Sequence, residues 1–290
     1  MDWKETRKTQ EVRMSPVRFS ESEIQKQFTD LSDLRYYASG GQKSVYEAVH
    51  PVHGNVVLKL IDSAPDNERI MREIEIVRQH LFPHVPKILD SGTANIKSTK
   101  QLYLVEERIE GNDLRKVLQQ NGRLPFSQVV KCLSSLLETI EALEKAHIVH
   151  RDIKPDNILL DRNDDFWLLD FGIARDLKKV SLTATSSRFG PFTDGYAPPE
   201  QVFNMKYMED SRCDLYALGI TAYELFCGHH PAADQRRDSE PMLELQDDQS
   251  GEIAGFVWTL MQNVQSLRPP SAQVARAWFL SILPQQNPRQ

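Results

Sequence analysis

Cysteine is scarce in this chain of 290 residues: Cys132, Cys213 and Cys227 form no C-x-x-C pair and have no histidines at finger spacing. That scarcity argues against a disulfide framework or a zinc site and is read as three buried, reduced thiols. Long apolar runs are missing too, since nothing approaches the roughly 20 residues a membrane-spanning helix needs. The opening stretch MDWKETRKTQEVRMSPVRFSESE is charged throughout and lacks the apolar centre of a signal peptide. Nor is there an excess of positive charge. With a formal net charge of -6 and a pI near 5.8, no electrostatic pull toward nucleic acid or an anionic membrane is expected. These absences point to a cytoplasmic protein with neither a nucleic-acid nor a membrane partner. Internal repeats and low-complexity tracts are also lacking.

What is present is ordinary globular material, 40% hydrophobic and 26% charged, enough for one large or two medium domains. Residues 1–30 are polar and aperiodic, either a flexible extension or a short segment docked on the domain behind it. SVYEAVH and NVVLKLID alternate as strands around the turn PVHG, which predicts a β-hairpin. NERIMREIEIVRQHL predicts a helix with Ile70, Ile74, Val77 and Leu81 on one face, and QLYLVEERI predicts a further strand. Past Gly111 the character turns helical. SQVVKCLSSLLETIEALEKAH places Val129, Leu133, Leu136, Ile140 and Leu143 on a single core-facing stripe. CDLYALGITAYELFCG and IAGFVWTLMQNV read as further helices. The residues thus read as α+β, a small β-rich lobe followed by a larger helical one, with the junction at IEGND.

The chemistry concentrates in HIVHRDIKPDNILLDRNDDFWLLDFG. Asp and Asn populate turns for local hydrogen-bonding reasons, so a lone pair of them would say little. Together with their lysine and their spacing they are far more specific. HRDIKPDN, His150 to Asn157, and DFG, Asp170 to Gly172, resemble the catalytic and metal-binding loops of the eukaryotic-like Ser/Thr protein kinases.

That resemblance, which covers about residues 31–282, implies a bilobal fold, with a small β-rich lobe at 31–109 carrying one key helix, a hinge at 107–113, a larger helical lobe at 114–284 and a tail at 285–290. It also implies ATP as phosphate donor, Mg²⁺ (Mn²⁺ also fitting) as the ion, and proteins bearing Ser or Thr as substrates. Asp152 would orient the substrate hydroxyl and Lys154 would set a cation beside the transferring group. Asn157 and Asp170 would ligate the metal through hard oxygens. Lys59 in VVLKL would hold the nucleotide's phosphates, partnered by Glu73, which sits at the edge of the apolar stripe where Glu68 and Glu75 face solvent. The glycine-loop pattern falls on Ala38 to Val45 and retains only Gly40 of its three glycines, with Gly41 beside it to supply positive φ cheaply. Lys43 stands in the third glycine's place and is expected to point into water. Val45, Val57 (where the family usually has alanine) and Leu159 would line the adenine, with hinge backbone from Glu107 to Ile109. Asp113 would meet the ribose. Glu106 falls at the back of the pocket, by a one-residue slip or as part of an internal ion pair.

FTDGYAPPEQ carries Thr193, Tyr196, Pro199 and Glu200 in the places of a peptide-supporting element, which favours a protein substrate. Asp214 is expected to anchor the catalytic loop, and Arg268 to pair with Glu200. Lys154 favours Ser/Thr over Tyr specificity. Ser181, Thr183, Thr185, Ser186 and Ser187 are candidate autophosphorylation sites whose phosphate would pair with Arg151. The stretch between Pro231 and Ile253 is short and polar for a substrate-docking insert. Three readings stand at this point: an active Ser/Thr protein kinase, a nucleotide-binding pseudokinase scaffold with little turnover, and a small-metabolite kinase disfavoured by YAPPE.

Overall fold

The computed structural model describes residues 19–40, 43–62, 67–170, 195–233 and 248–284. The chain divides into two compact units, residues 1–63 with 90–105 and residues 64–89 with 106–290.

The first unit begins with a short helix α1 (Glu21–Gln25), started by Ser20, whose N–H donates to Glu23 Oε2 at 2.9 Å. Phe19, Ile24 and Leu31 are all buried. The Tyr46 hydroxyl donates to the Phe19 carbonyl at 2.8 Å, and Tyr36 N donates to Glu21 Oε1 at 3.1 Å. The polar extension is therefore docked on the sheet from Phe19 onward.

Behind it stand β1 (Ser32–Gly40), β2 (Lys43–His50) and β3 (Gly54–Asp62). Their period-two pattern decides which side is core. Ser44, Tyr46 and Ala48 oppose Leu60, Leu58 and Val56, and all six are buried. Withdrawing each large member of that set from water contributes about 1.5–3 kcal/mol. The other face carries Val45 opposite Lys59 and Glu47 opposite Val57. The hairpin turn ends at Gly54, whose φ of +70° a side chain would resist.

Helix α2 (Asn67–Gln79), which belongs to the second unit, buries Ile74 and Val77. Leu81, expected on the same stripe, lies beyond the end of the helix and is 77% exposed. The periodic run outlasts the helix by two residues, because Pro83 shortly afterwards biases the chain away from helical geometry. β4 (Ile88–Ile96) and β5 (Thr99–Glu107) complete a five-stranded sheet of order β1-β2-β3-β5-β4.

The second unit contains β6 (Gly111–Asp113), α3 (Leu114–Asn121), α4 (Phe126–Lys145), β7 (Ile158–Asp161), β8 (Phe166–Leu168), α5 (Pro199–Val202), α6 (Ser211–Cys227), α7 (Asp248–Leu260) and α8 (Ala272–Ile282). Helix α4 is the hub, packing on α6, α8 and β8. All five residues of its expected stripe are fully buried. Helix α6 is buried on nearly every side, its polar residues Asp214, Thr221 and Glu224 included. Its start is capped by Asp210, which accepts from Arg212 N at 2.9 Å, and its end by Gly228 at φ +78°. Strands β6, β7 and β8 form a small sheet that frames the catalytic segment, pairing Asp113 with Leu159 and Ile158 with Leu168. Gly111 is required there, because a Cβ would stand 2.3 Å from the Leu160 carbonyl oxygen. Among the described residues no helix is long and apolar enough to cross a membrane.

Candidate active site

The loop from His150 to Asn157 links α4 to β7 and is held by its own side chains. Asp214, fully buried on α6, accepts His150 N through Oδ2 and Arg151 N through Oδ1, each at 2.7 Å. This is the anchoring role expected of it. Two consecutive N–H groups bound by one carboxylate force a sharp local bend, and Arg151 takes φ +67°. For a non-glycine residue that conformation costs on the order of 1–3 kcal/mol, which the surrounding bonds offset.

The His150 imidazole joins the loop to Leu169, just past the end of β8. Its Nδ1 accepts Asp152 N at 3.3 Å, so Nε2 carries the proton and donates to the Leu169 carbonyl at 3.2 Å. Leu169 N in turn donates to the Asn157 carbonyl at 2.8 Å. These bonds tie HRDIKPDN to the approach of Asp170, which itself sits at φ +60°.

Within the loop, Asp152, Lys154 and Asn157 converge. Asn157 Nδ2 donates to both the Asp152 carbonyl and Asp152 Oδ2, each at 2.8 Å. Lys154 Nζ lies 3.3 Å from the same Oδ2. The carboxylate plane of Asp152 is thereby fixed. Both partners of the Asn157 amide nitrogen are acceptors, so the amide can have only this orientation, and its oxygen is the atom presented to a hard cation. The donor set thus suits Mg²⁺. Among the described residues no group of three or more His, Cys, Asp or Glu forms a closed metal cage.

In the first unit, Val45, Val57 and Lys59 occupy one face of the β2–β3 hairpin. Lys59 is only 7% exposed, unusual for a lysine without a task for its ammonium. Gly40 closes β1 opposite Lys43, so it belongs to the ladder rather than to a free loop. Gly41 lies outside the described residues. Glu73 lies in α2, but its side chain is outside the described set, as are Gly172 and the residues from Ser181 to Thr193. Glu75 is exposed and 3.7 Å from Arg78, on the solvent side as expected.

The expected back-of-pocket residue and several expected hinge and nucleotide residues take a more definite shape than the sequence allowed. Glu106 is 9% exposed on β5, so its carboxylate is indeed internal. Glu107 holds the Lys87 backbone at both ends: its side-chain Oε1 accepts Lys87 N at 2.9 Å and its own N donates to Lys87 O at 3.0 Å. Ile109 follows β5 and is half-buried, as is Leu159 on β7. Asp113, assigned to ribose, also caps α3: Oδ1 accepts Lys116 N at 2.8 Å and Oδ2 lies 2.8 Å from Lys116 Nζ.

Sequence reasoning missed a second polar network. Arg115 Nη1 donates to Glu224 Oε1 at 2.6 Å and Nη2 to the Tyr196 hydroxyl at 2.7 Å, while Nε lies 3.3 Å from Asp156. Tyr196 also donates to Glu224. Burial and the Glu224 charge push its phenol up from the usual range. The partners are separated by 28 to 109 residues, so no local pattern could reveal them. Ahead of Tyr196, Gly195 sits at φ +97° against the His230 ring, which a Cβ would meet at 2.3 Å.

Comparison with known proteins agrees with this arrangement. The protein kinase domain family matches residues 35–280. The serine/threonine-protein kinase PknL of Mycobacterium tuberculosis is 36% identical over 212 residues, 69% of this chain and 51% of PknL. A probable serine/threonine-protein kinase, PknB of Corynebacterium glutamicum, is 33% identical over 201 residues, 67% of this chain and 30% of that protein. The chain thus spans about half or less of the length of these relatives. The PknI kinase domain of Mycobacterium tuberculosis superposes with a TM-score of 0.65 at 22% identity, covering 86% of this chain and 94% of that one. At that identity the likeness speaks for the fold alone.

Proposed function

The chain belongs to the protein kinase family, and from that membership we propose that it transfers the γ-phosphate of ATP to serine and threonine hydroxyls of proteins. The observation that carries this reading is the convergence of Asn157 and Lys154 on Asp152 Oδ2. Phosphoryl transfer asks the protein for positioning and charge balance more than for covalent chemistry. Asp152, held in plane, accepts the hydrogen bond of the incoming hydroxyl and takes its proton as the oxygen becomes a phosphoester. Lys154 balances negative charge beside that carboxylate. The buried Lys59 and the apolar Val45–Val57 face serve the nucleotide. Asn157 and Asp170 would hold Mg²⁺, which supplies charge neutralisation at the phosphates when bound.

The names of the curated relatives support serine and threonine as acceptors. Lys154 within HRDIKPDN supports the same choice. Autophosphorylation among Ser181, Thr183, Thr185, Ser186 and Ser187 and a cytoplasmic setting belong to this reading as well. Incubation with radiolabelled ATP, Mg²⁺ and casein, followed by phosphoamino-acid analysis, tests it. Phosphoserine or phosphothreonine is expected, and phosphotyrosine alone contradicts it.

A further inference from the structure

Arg151 immediately precedes Asp152 and is gripped on three sides. Its N–H reaches Asp214, its carbonyl accepts Gln201 Nε2 at 3.0 Å, and its Nε lies 3.2 Å from Glu209 Oε2. The Glu209 side chain is only 3% exposed and the Arg151 side chain 22%. The carboxylate sits beside the Nε–H axis rather than on it, so the contact is chiefly one of charge. A carboxylate so far from water carries a desolvation cost that a nearby cation helps to offset. Arg151 is such a cation.

The backbone bearing Glu209 is itself fixed. Gln265 Nε2 donates to the Met208 carbonyl at 2.6 Å and lies 3.3 Å from Asp210 Oδ1, and Asp210 caps α6. The anion facing Arg151 is therefore part of the folded scaffold. A phosphate on the segment after DFG, by contrast, has to be added.

We propose that Glu209 is a positioning residue that supplies, from within the chain, the anion for Arg151, so that order at Asp152 does not depend on phosphorylation of Ser181, Thr183, Thr185, Ser186 or Ser187. The inference rests on the transfer activity proposed above. Glu209 touches no reacting atom. It acts through the arginine, whose strained φ and bound N–H set the direction in which the next residue leaves. Phosphate on the segment then modulates an enzyme already assembled.

The test is steady-state phosphate transfer to casein by the full chain and five variants: Glu209→Gln, Glu209→Asp, Arg151→Ala, the Arg151→Ala/Glu209→Gln double variant, and one with all five hydroxyl residues changed to alanine. Glu209→Gln is expected to lower kcat about tenfold or more, with KM for ATP within about twofold and Glu209→Asp restoring much of the loss. In the Arg151→Ala background Glu209→Gln costs nothing further, which a purely structural role would not produce. The five-alanine variant keeps kcat within about twofold of the wild type, and it decides the matter alone if Glu209→Gln fails to fold. A Glu209→Gln enzyme with full activity, an equal loss in both backgrounds, or a folded five-alanine variant without activity each overturns the inference. A wild type that binds ATP yet transfers nothing overturns the kinase reading first and this inference with it.

Discussion

Glu200 and Arg268 form a two-point ion pair, Nη1 to Oε1 at 2.6 Å and Nη2 to Oε2 at 3.1 Å, with neither side chain more than 3% exposed. The remaining guanidinium donors reach the carbonyls of Gln262 at 2.7 Å, Arg212 at 2.9 Å and Asn263 at 3.3 Å. All five donors of the arginine are used, and its Cζ lies over the Tyr216 ring, 4.8 Å from the ring centre.

Breaking a pair of this kind leaves an uncompensated buried charge. Arg268→Ala is expected to destabilise the protein by about 3–5 kcal/mol, and Arg268→Lys nearly as much, since an ammonium cannot reproduce the planar fork. Urea unfolding measures both. A lysine variant within about 1 kcal/mol of the wild type would show that charge alone, not the fork, matters there.

The bend at His150–Arg151 depends on both oxygens of Asp214. Asp214→Asn sets an amide NH₂ against one of those N–H donors, leaving a buried donor unsatisfied at a cost of about 1–3 kcal/mol. Phosphate transfer should fall by more than stability implies, because the bend directs Asp152. Parallel melting curves and kcat values of the variant check this, and a kcat that merely tracks the folded fraction goes against it.

The strands read from sequence were the inner ones of the sheet. SVYEAVH alternates, and NVVLKLID and QLYLVEERI carry continuous apolar runs, because β2, β3 and β5 are interior strands that bury one face or both. The outer strands β1 and β4 bury little, and β1 is interrupted by register shifts after Ser32 and Tyr36, so SDLRYYASG and ILDSGTANI carry no clean period. The catalytic loop was legible for a different reason: its partners lie within a few residues of one another, and local chemistry leaves a local pattern. The Arg115–Glu224 and Arg151–Glu209 contacts join distant segments and leave none. Leu81 shows the converse error, a period continued past the point where the backbone could follow it.

Residues ahead of the family match also contribute to the fold. Ile24 is fully buried although the family match begins at residue 35. Ile24→Ala should cost about 2–5 kcal/mol, read as a lowered unfolding midpoint. A loss below about 0.5 kcal/mol, typical of surface positions, would mean that the helix adds nothing to the sheet it covers.

The thiols should differ in reactivity. Burial pushes the Cys132 thiol up from its ordinary range, and burial with the Glu200 and Asp214 charges does the same to Cys213, whereas Cys227 is half-buried. A disulfide reagent at pH 8 should label Cys227 alone in the native protein and all three after unfolding, since thiolate and access together control the reaction. Rapid native labelling of Cys132 would contradict the packing of α4.

The most direct measurement of the chemistry is phosphate transfer from radiolabelled ATP with Mg²⁺ by the wild type beside Asp152→Ala, with ATP binding measured for both. Transfer by the wild type that falls by a factor of a hundred or more in Asp152→Ala, on the order of general-base effects, with ATP affinity retained, is the predicted result. Equal transfer by the two proteins, or none from a wild type that binds ATP, would contradict the role given to Asp152.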